Sequence, residues 1–363
     1  QRLSEAYALV DELRSKELDL NTYFKMRGQF SKLSSNPKDY KLFYHKVNGQ
    51  MVRHDKVHNL FGYNITRAAG EAFKEYSPDK RILLFTRGSM IGMHRYSGIW
   101  TGDNKAWWSH LKLSIQQMPN INLCGFLYTG SDIGGFGSDS NEELMTRWVQ
   151  FGIFTPLMRN HSQSRRAQEL YVYKNTETFK NMIEIRYALI PYLYSEFVKC
   201  ALNDESYFRP IAFDYEGDKE ARLIEDQLMV GESIMIAPIY EQAGRGRFVY
   251  LPEDMKMIKM RSLADYEEIQ MPKGNHFIHV NLNELVFFIR PNHVVPMAKP
   301  ELTTKDMDFD NLYILGNVDK QIEYTLYDDD GYTRNIDVQE HYHTIKVSKD
   351  NCSCETKKVQ FFK

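Results

Sequence analysis

Four short apolar runs alternate with longer amphipathic stretches in the first part of the chain. Each is five to seven residues long: Arg81–Arg87, Tyr96–Trp100, Leu123–Tyr128 and Phe154–Met158. Continuous apolar runs of this length, bounded by charged residues or glycine, are typical of strands buried in a parallel sheet. The pattern therefore predicts four parallel strands.

Helices are predicted around these strands, over residues 1–35, Val57–Tyr76, Lys105–Gln117, Asn141–Phe151 and Thr176–Leu202. Asn141 is a candidate N-cap residue because two acidic residues follow it in the first turn. Pro191 is expected to kink the last helix. Strands that alternate with helices of this length are typical of βαβ units. Four such units make about half of a (β/α)8 TIM barrel.

The pattern changes after about residue 206, where short strands are separated by turns rich in Gly, Pro, Asn or Asp. They are predicted at 208–213, 232–238, 246–252, 276–280, 285–290 and 321–327. This pattern of short strands and turns favours an antiparallel β-sandwich region, so the expected fold class is α/β plus all-β. Asp328–Gly331 predicts a hairpin turn, because apolar Leu326 would take the first ligand position of an EF-hand loop.

Composition narrows the function class. The 363 residues are 42% hydrophobic and 26% charged with a net charge of −2, which suits a soluble protein of two or three domains. Without a basic run, neither nucleic acid nor an anionic membrane is an expected partner. No apolar stretch reaches the roughly 18–20 residues of a membrane span. The chain begins at Gln1 without a signal peptide, and a cytoplasmic location is expected.

Neither the cysteines nor the common cofactor motifs indicate a metal site or a bound cofactor. Cys124 and Cys200 are expected to be buried thiols, and Cys352-x-Cys354 lacks the second pair that a zinc site needs. Four such cysteines favour a reducing compartment. The sequence has no phosphate loop, no Gly-x-Ser-x-Gly and no His-Glu-x-x-His, so no cofactor is expected.

Polar side chains follow the end of each predicted strand. The first end presents Arg87, the second Asp103 beside Trp100, the third Asp132 followed by Phe136, and the fourth Arg159-Asn160-His161. Each alone is compatible with a plain turn or a structural ion pair. Because the carboxyl ends of barrel strands meet on one face, together they predict an active site.

Two carboxylates, a cation, an imidazole and several aromatic rings suit the cleavage of a glycosidic bond. That reaction needs one acid to protonate the leaving oxygen and a second carboxylate on the other side of the sugar. A metal site formed by Asp103, Asp132 and His161 is the alternative, although these residues lack the close spacing of a ligand cluster.

Longer blocks around these residues resemble the signature blocks of glycoside hydrolase family 31, the family of α-glucosidases and α-xylosidases. They are 87–89, 95–104, 128–136 and 158–161, followed by 186–194, 209–210, 235–238 and 327–331. The resemblance covers nearly all of the chain after about residue 57, and it is nearest to the bacterial, gut-type α-glucosidases. It implies a retaining exo-acting α-glycosidase, most simply an α-glucosidase that releases terminal glucose from small oligosaccharides. An α-xylosidase is the alternative.

The resemblance also implies roles for individual residues. Asp103 matches the general acid/base of the family, and Arg87 and His161 match residues that hydrogen-bond the sugar in subsite −1. The remaining matches, which line or support that subsite, are Trp100, Asp132 and Phe136. No metal and no cofactor are implied, and the expected partner is an α-glucoside.

The chain departs from the family at the nucleophile, which lies in a Trp-x-Asp-Met-Asn-Glu block at the end of the fourth barrel strand. No such block occurs in these 363 residues. We expect a C-terminal portion whose partner is the N-terminal half of the same enzyme, with a homo-oligomer also compatible. Alone, it would be a non-catalytic scaffold or sugar-binding piece.

The expected domains follow from this comparison. Residues 1–56 form a helical and loop insertion after the fourth barrel strand, and residues 57–205 form the second half of the catalytic barrel. Residues 206–285 form a proximal β-sandwich, and residues 286–363 form a distal β-domain.

Overall fold

The computed structural model describes residues 2–14, 19, 21–24, 27–28, 38–164, 166 and 168–362. The chain divides into two compact units, Gln1–Ile65 and Thr66–Lys363. Among the described residues, no helix has the length and apolar character to cross a membrane. The predicted domain limits at residues 56, 205 and 285 stay predictions.

The described residues of the first unit include a first helix, helical residues at 21–24 and 27–28, a hairpin and the start of a long later helix. Helix α1 is Arg2–Arg14, and most of the rest of the helix predicted over 1–35 lies outside the described residues. Strands β1 (Tyr44–Val47) and β2 (Gln50–Arg53) pair antiparallel around Asn48-Gly49, both of which have positive φ. Such a turn matches the twist of a hairpin. The sequence pattern missed these strands because half of their residues, His45, Lys46, Gln50 and Arg53, are polar or charged.

Parallel strands and helices alternate from residue 54 to residue 203, as predicted, except that two short strands at 129–130 and 132–133 follow each other directly. The helices are α2 (His54–Tyr76), α3 (Trp108–Leu123), α4 (Glu142–Gly152), α5 (Thr176–Ala188) and α6 (Ile190–Asn203). The strands are β3 (Phe85–Thr86), β4 (Gly98–Trp100), β5 (Thr129–Gly130), β6 (Asp132–Ile133) and β7 (Arg159–Asn160). β3, β4 and β5 form one parallel group, and β6 and β7 form another.

Two helix features follow from local chemistry. The Asn141 side chain accepts a hydrogen bond from the Leu144 amide at 2.8 Å, so the predicted N-cap of α4 is confirmed. The single kinked helix predicted over 176–202 is wrong, because α5 and α6 are separate helices that meet at Leu189. Pro191 lies in the first turn of α6, where its missing N–H and fixed φ are tolerated.

Three of the predicted strands are misplaced or too long. α3 continues to Leu123, and Gly125 turns the chain with φ +89°, so 123–128 is not a strand and Cys124 is exposed. A short apolar run at a helix end has no periodicity that distinguishes it from a strand. Residues 154–158 form turns and bends after α4. Pro156 has no N–H to donate to a neighbouring strand, so this run does not pair in a sheet. The strand itself begins at Arg159.

The predicted strand 81–87 is also reduced, to Phe85–Thr86. The Arg81 amide donates to the Tyr332 carbonyl at 2.9 Å, so this stretch contacts a loop of the C-terminal β-region instead of entering the sheet. Leu83 is 61% exposed, and the prediction of a buried run is wrong there.

The region after residue 206 is mainly antiparallel β-structure, as predicted. Its strands are β8 (Phe208–Pro210), β9 (Leu228–Val230), β10 (Ile234–Ile236), β11 (Gly246–Leu251), β12 (Met255–Met260), β13 (Tyr266–Met271), β14 (Gly274–His279), β15 (Leu285–Ile289), β16 (His293–Ala298), β17 (Asn311–Asn317), β18 (Ile322–Tyr327), β19 (Tyr342–Val347), β20 (Cys352–Cys354) and β21 (Lys358–Phe361). A short helix α7 (Ile211–Asp214) follows β8. Short 3-10 turns occupy Asp39–Lys41, Met93–Arg95, Leu170–Val172, Ala221–Leu223 and Val338–His341.

These strands form four sheets, ordered β13-β12-β15-β10-β9-β8, β11-β14, β16-β17-β21 and β18-β19-β20. Every pair is antiparallel except β17 with β21, where the parallel pairing departs from the prediction. Asp328–Gly331 begins the long loop from β18 to β19 instead of closing a tight hairpin turn. The Asp329 carboxylate is occupied by Arg81 and Tyr194, which holds that loop against the barrel.

Candidate active site

The ends of the parallel strands carry the side chains that the sequence singled out. Arg87 directly follows β3, and Trp100 is the last residue of β4. Asp132 and Arg159 are the first residues of β6 and β7, and these two residues are register partners. The side-chain contacts that connect these strand ends form three groups.

The first group is the ion pair between Arg87 and Asp103. Nη1 of Arg87 donates to Oδ1 of Asp103 at 2.6 Å, and the side chains are 59% and 49% exposed. The loop that carries Asp103 turns at Gly102, whose φ of +79° lies in the region that favours glycine. Asp103 is therefore an accessible carboxylate next to a fixed positive charge.

The second group surrounds Arg159, which follows the fourth predicted strand but is not among the predicted site residues. Its guanidinium carbon lies 5.2 Å from the ring centroids of both Phe85 and Trp100. These two rings meet edge to face at 5.6 Å. Arg159 also forms an ion pair with Asp132, whose side chain is 1% exposed. Two aromatic rings thus face the cation, and a buried carboxylate neutralises it.

Asp132 combines burial with an incomplete set of partners. Burial raises the pKa of the Asp132 carboxyl, and the hydrogen bond and charge of Arg159 offset part of that rise. Among the described residues, Oδ2 of Asp132 has no hydrogen-bond partner, and neither does Nε1 of Trp100. A buried polar atom without a partner is costly, so these atoms suit contact with a polar ligand.

The third group is the stacked pair of Phe136 and His161. Their ring centroids are 5.3 Å apart and the rings are 29° from parallel. Phe136 follows the glycines Gly134 and Gly135, which have φ of +85° and +87°. Glycine adopts these angles without strain, and the turn presents the Phe136 ring next to the loop after β7.

The alternative metal site has little support from these contacts. Asp103 is paired with Arg87, Asp132 with Arg159, and the ring of His161 stacks on Phe136. Nowhere in the described part of the chain do three or more His, Cys, Asp or Glu side chains converge as a metal would require. The arrangement offers an accessible carboxylate, hydrogen-bonding groups and aromatic faces, which together suit a sugar.

Two family domains match this chain. Residues 16–196 match the TIM-barrel domain of glycosyl hydrolases family 31, and residues 204–295 match the C-terminal domain of the same family. The family barrel domain thus includes every side chain of the three groups.

Individual glucosidases are also similar in sequence to this chain. Alpha-glucosidase 2 of Bacillus thermoamyloliquefaciens is 32% identical over 80% of this chain. A probable glucan 1,3-alpha-glucosidase of Oryza sativa subsp. japonica is 31% identical over 83%. The chain spans only 37% and 33% of the lengths of these two relatives.

A solved structure gives the same result for the fold. The GH31 dextranase of Flavobacterium johnsoniae, complexed with glucose, superposes with a TM-score of 0.74 at 25% identity. The match covers 87% of this chain and 41% of the dextranase. At this coverage the likeness includes most of the barrel segment and most of the β-region that follows it.

Proposed function

Because the chain belongs to glycoside hydrolase family 31, we propose that it is the part of a retaining α-glucosidase that supplies the general acid/base, Asp103. The observation that carries this proposal is the half-exposed Asp103 carboxylate at the end of β4, hydrogen-bonded to Arg87. An acid that serves a sugar must be reachable from solvent and must lie beside groups that hold the sugar, and Asp103 meets both conditions.

The first step of the proposed reaction is protonation of the departing glycosidic oxygen. Asp103, in its protonated form, donates the proton while a second carboxylate attacks the anomeric carbon from the opposite face. In the second step the Asp103 carboxylate accepts a proton from water, which displaces the sugar from that second carboxylate. Both steps use the same residue, first as acid and then as base.

The nucleophile is proposed to come from protein outside these 363 residues. Asp132 is the other carboxylate of the site, but Arg159 occupies one of its oxygens and its side chain is buried. A retaining enzyme places its two carboxyl groups about 5–5.5 Å apart, so the proposed nucleophile should lie at about that distance from the carboxyl group of Asp103. The charge of Asp132 serves instead to hold Arg159 beneath the aromatic rings.

Binding of the sugar is proposed to use the remaining groups. Arg87 has further N–H donors for sugar hydroxyls besides the one that it gives to Asp103. His161 offers a ring nitrogen, while the stacked face of Phe136 fixes the plane of its imidazole. Trp100 presents a buried indole N–H without a partner among the described side chains.

The proposed substrate is an α-linked glucoside. The relatives bear the names alpha-glucosidase and glucan 1,3-alpha-glucosidase, and a similar dextranase was solved with isomaltotriose. All three names refer to α-linked glucose, so an α-glucoside with a small aglycone is the first substrate to test.

The test is hydrolysis by the full natural chain of 4-nitrophenyl α-glucoside and 4-nitrophenyl α-xyloside, with the product anomer followed by proton NMR. We expect at least tenfold higher kcat/KM for the glucoside, and α-glucose as the first product, because two displacements retain configuration. Preference for the xyloside would overturn the substrate class. β-Glucose as the first product would overturn the retaining mechanism.

A further inference from the structure

We propose that Thr101 and Asn104 are positioning residues that fix the loop of Asp103 against the loop of Phe136. The general acid and one wall of the sugar site would then move as one body. This inference rests on the proposed function, since it assigns the two residues a purpose in the reaction of Asp103.

The turn that carries Asp103 is held at both of its ends. The Thr101 amide donates to the Gly130 carbonyl at 3.1 Å, which extends the pairing between β4 and β5. Oγ1 of Thr101 donates to Oδ1 of Asn104 at 2.5 Å, across the turn. The Asn104 amide donates to the Gly102 carbonyl at 3.0 Å. Asp103 thus lies between residues whose main chain is tied to the barrel.

Asn104 also connects this turn to the loop after β6. Its main-chain carbonyl accepts two hydrogen bonds, from the amides of Phe136 at 2.8 Å and Gly137 at 2.9 Å. The Gly137 carbonyl in return accepts from the Ala106 amide at 2.7 Å. Asn104 is only 5% exposed, so water competes little for these bonds. We call this set of three main-chain hydrogen bonds the loop clasp.

Gly135 shows how closely the two loops approach. A Cβ built on Gly135 would lie 2.4 Å from the Ala106 amide nitrogen and 2.6 Å from the Lys105 carbonyl carbon. These are main-chain atoms, which cannot move aside as the end of a flexible side chain would. The loops are therefore in direct contact, and any side chain at residue 135 would separate them.

The loop clasp continues to the third part of the site. The Phe136 carbonyl accepts a hydrogen bond from the Gln163 amide at 3.0 Å, and the Phe136 ring stacks on His161. A displacement of Asn104 would therefore reach both the acid and the rings that face the sugar. Misplacement of a catalytic group by about 1 Å costs on the order of a hundredfold in rate.

The decisive variants are Thr101→Val and Thr101→Ser in the full natural chain. Valine has nearly the shape of threonine but cannot donate to Asn104, whereas serine keeps the hydroxyl. We expect the valine variant to lose about tenfold more kcat/KM on maltose than on 2,4-dinitrophenyl α-glucoside, because only the maltose leaving group needs the acid, whereas displaced rings affect both substrates alike. Serine should behave as the unchanged protein.

Amide hydrogen exchange tests the loop clasp without any turnover. In Thr101→Val the peptide spanning 133–138 should exchange at least fivefold faster, because the Phe136 and Gly137 amides lose a fixed acceptor. Gly135→Ala, which separates the loops by another route, should give the same result. Unchanged exchange in both variants would overturn the loop clasp whether or not the protein hydrolyses glucosides.

Loss of activity in equal proportion on the two substrates would overturn the positioning role, because a general defect in folding or binding does not depend on the leaving group. If the unchanged protein hydrolyses neither substrate, the proposed function fails, and the exchange measurement still decides whether Thr101 fixes the two loops.

Discussion

Arg87 and Asp103 join the ends of two neighbouring parallel strands through a hydrogen bond of 2.6 Å between guanidinium and carboxylate. Each side chain is about half exposed. An ion pair in contact with water contributes only about 0–1 kcal/mol to the free energy of unfolding. The pair can therefore open when a sugar arrives, at little cost to the fold.

Replacing Arg87 should consequently damage activity more than stability. For Arg87→Met we expect a change of less than about 1 kcal/mol in the free energy of unfolding by urea. The kcat/KM on an α-glucoside should fall by on the order of a hundredfold, because sugar hydroxyls lose charge-assisted hydrogen bonds. Arg245→Met is the matched control, since Arg245 pairs with Glu143 at 2.9 Å and is similarly exposed. A stability loss well above that of the control would argue that Arg87 is structural.

Replacing Arg159, in contrast, should lower the stability of the fold. Its guanidinium lies over two rings and pairs with a buried carboxylate, and the compact ammonium group of lysine cannot reproduce these contacts together. Arg159→Lys should lower the free energy of unfolding by about 2 kcal/mol. The control is Arg166→Lys, because the partner of Arg166 is the exposed Asp139. Equal urea midpoints for the two variants would contradict the stabilising role of these contacts.

Asp329 connects the barrel segment to the β18–β19 loop, and its effect should depend on pH. Burial raises the pKa of this carboxyl, but hydrogen bonds from Arg81, Tyr327, Tyr194 and the Gly331 amide outweigh it, so the pKa lies below its ordinary value. A lowered pKa in the folded state contributes stability above the unfolded value of about 3.9. That contribution is lost as the pH falls through the folded pKa.

Asp329→Asn should therefore lower the free energy of unfolding by about 2–3 kcal/mol at pH 7. The difference from the unchanged protein should narrow as the pH falls below about 4. Urea titrations at pH 7, 4, 3 and 2 measure this, with Asp350→Asn on an exposed bend as control. A deficit that stays constant down to the lowest pH would mean that the lost contribution is not ionic.

Some features could be read from the sequence because their causes are local. The N-cap at Asn141 needs only the residues of one helical turn, and the alternation of strands and helices needs only hydrophobic periodicity. The limits of the strands could not be read from the sequence. The short apolar run at 123–128 resembles a strand, although it begins at the last residue of α3, Leu123. These errors amount to a few residues, so the order of the predicted barrel elements was still correct.

Other features depend on contacts between distant parts of the chain. Arg159 lies 74 residues after Phe85 and meets it only because their strands are brought together in the barrel. The Arg81–Asp329 pair joins residues 248 positions apart. Neither pairing has a spacing that a sequence pattern could reveal, so the roles of Arg159 and Arg81 appear only in the folded chain.

The most direct test of the central claim is the leaving-group dependence of Asp103→Ala, measured as kcat/KM, which reports the glycosylation step. We expect maltose hydrolysis to fall at least a thousandfold, because its leaving group needs a proton. Cleavage of 2,4-dinitrophenyl α-glucoside, whose leaving group does not, should stay within about tenfold of the unchanged protein. An equal fall on both substrates would show that Asp103 is not the general acid.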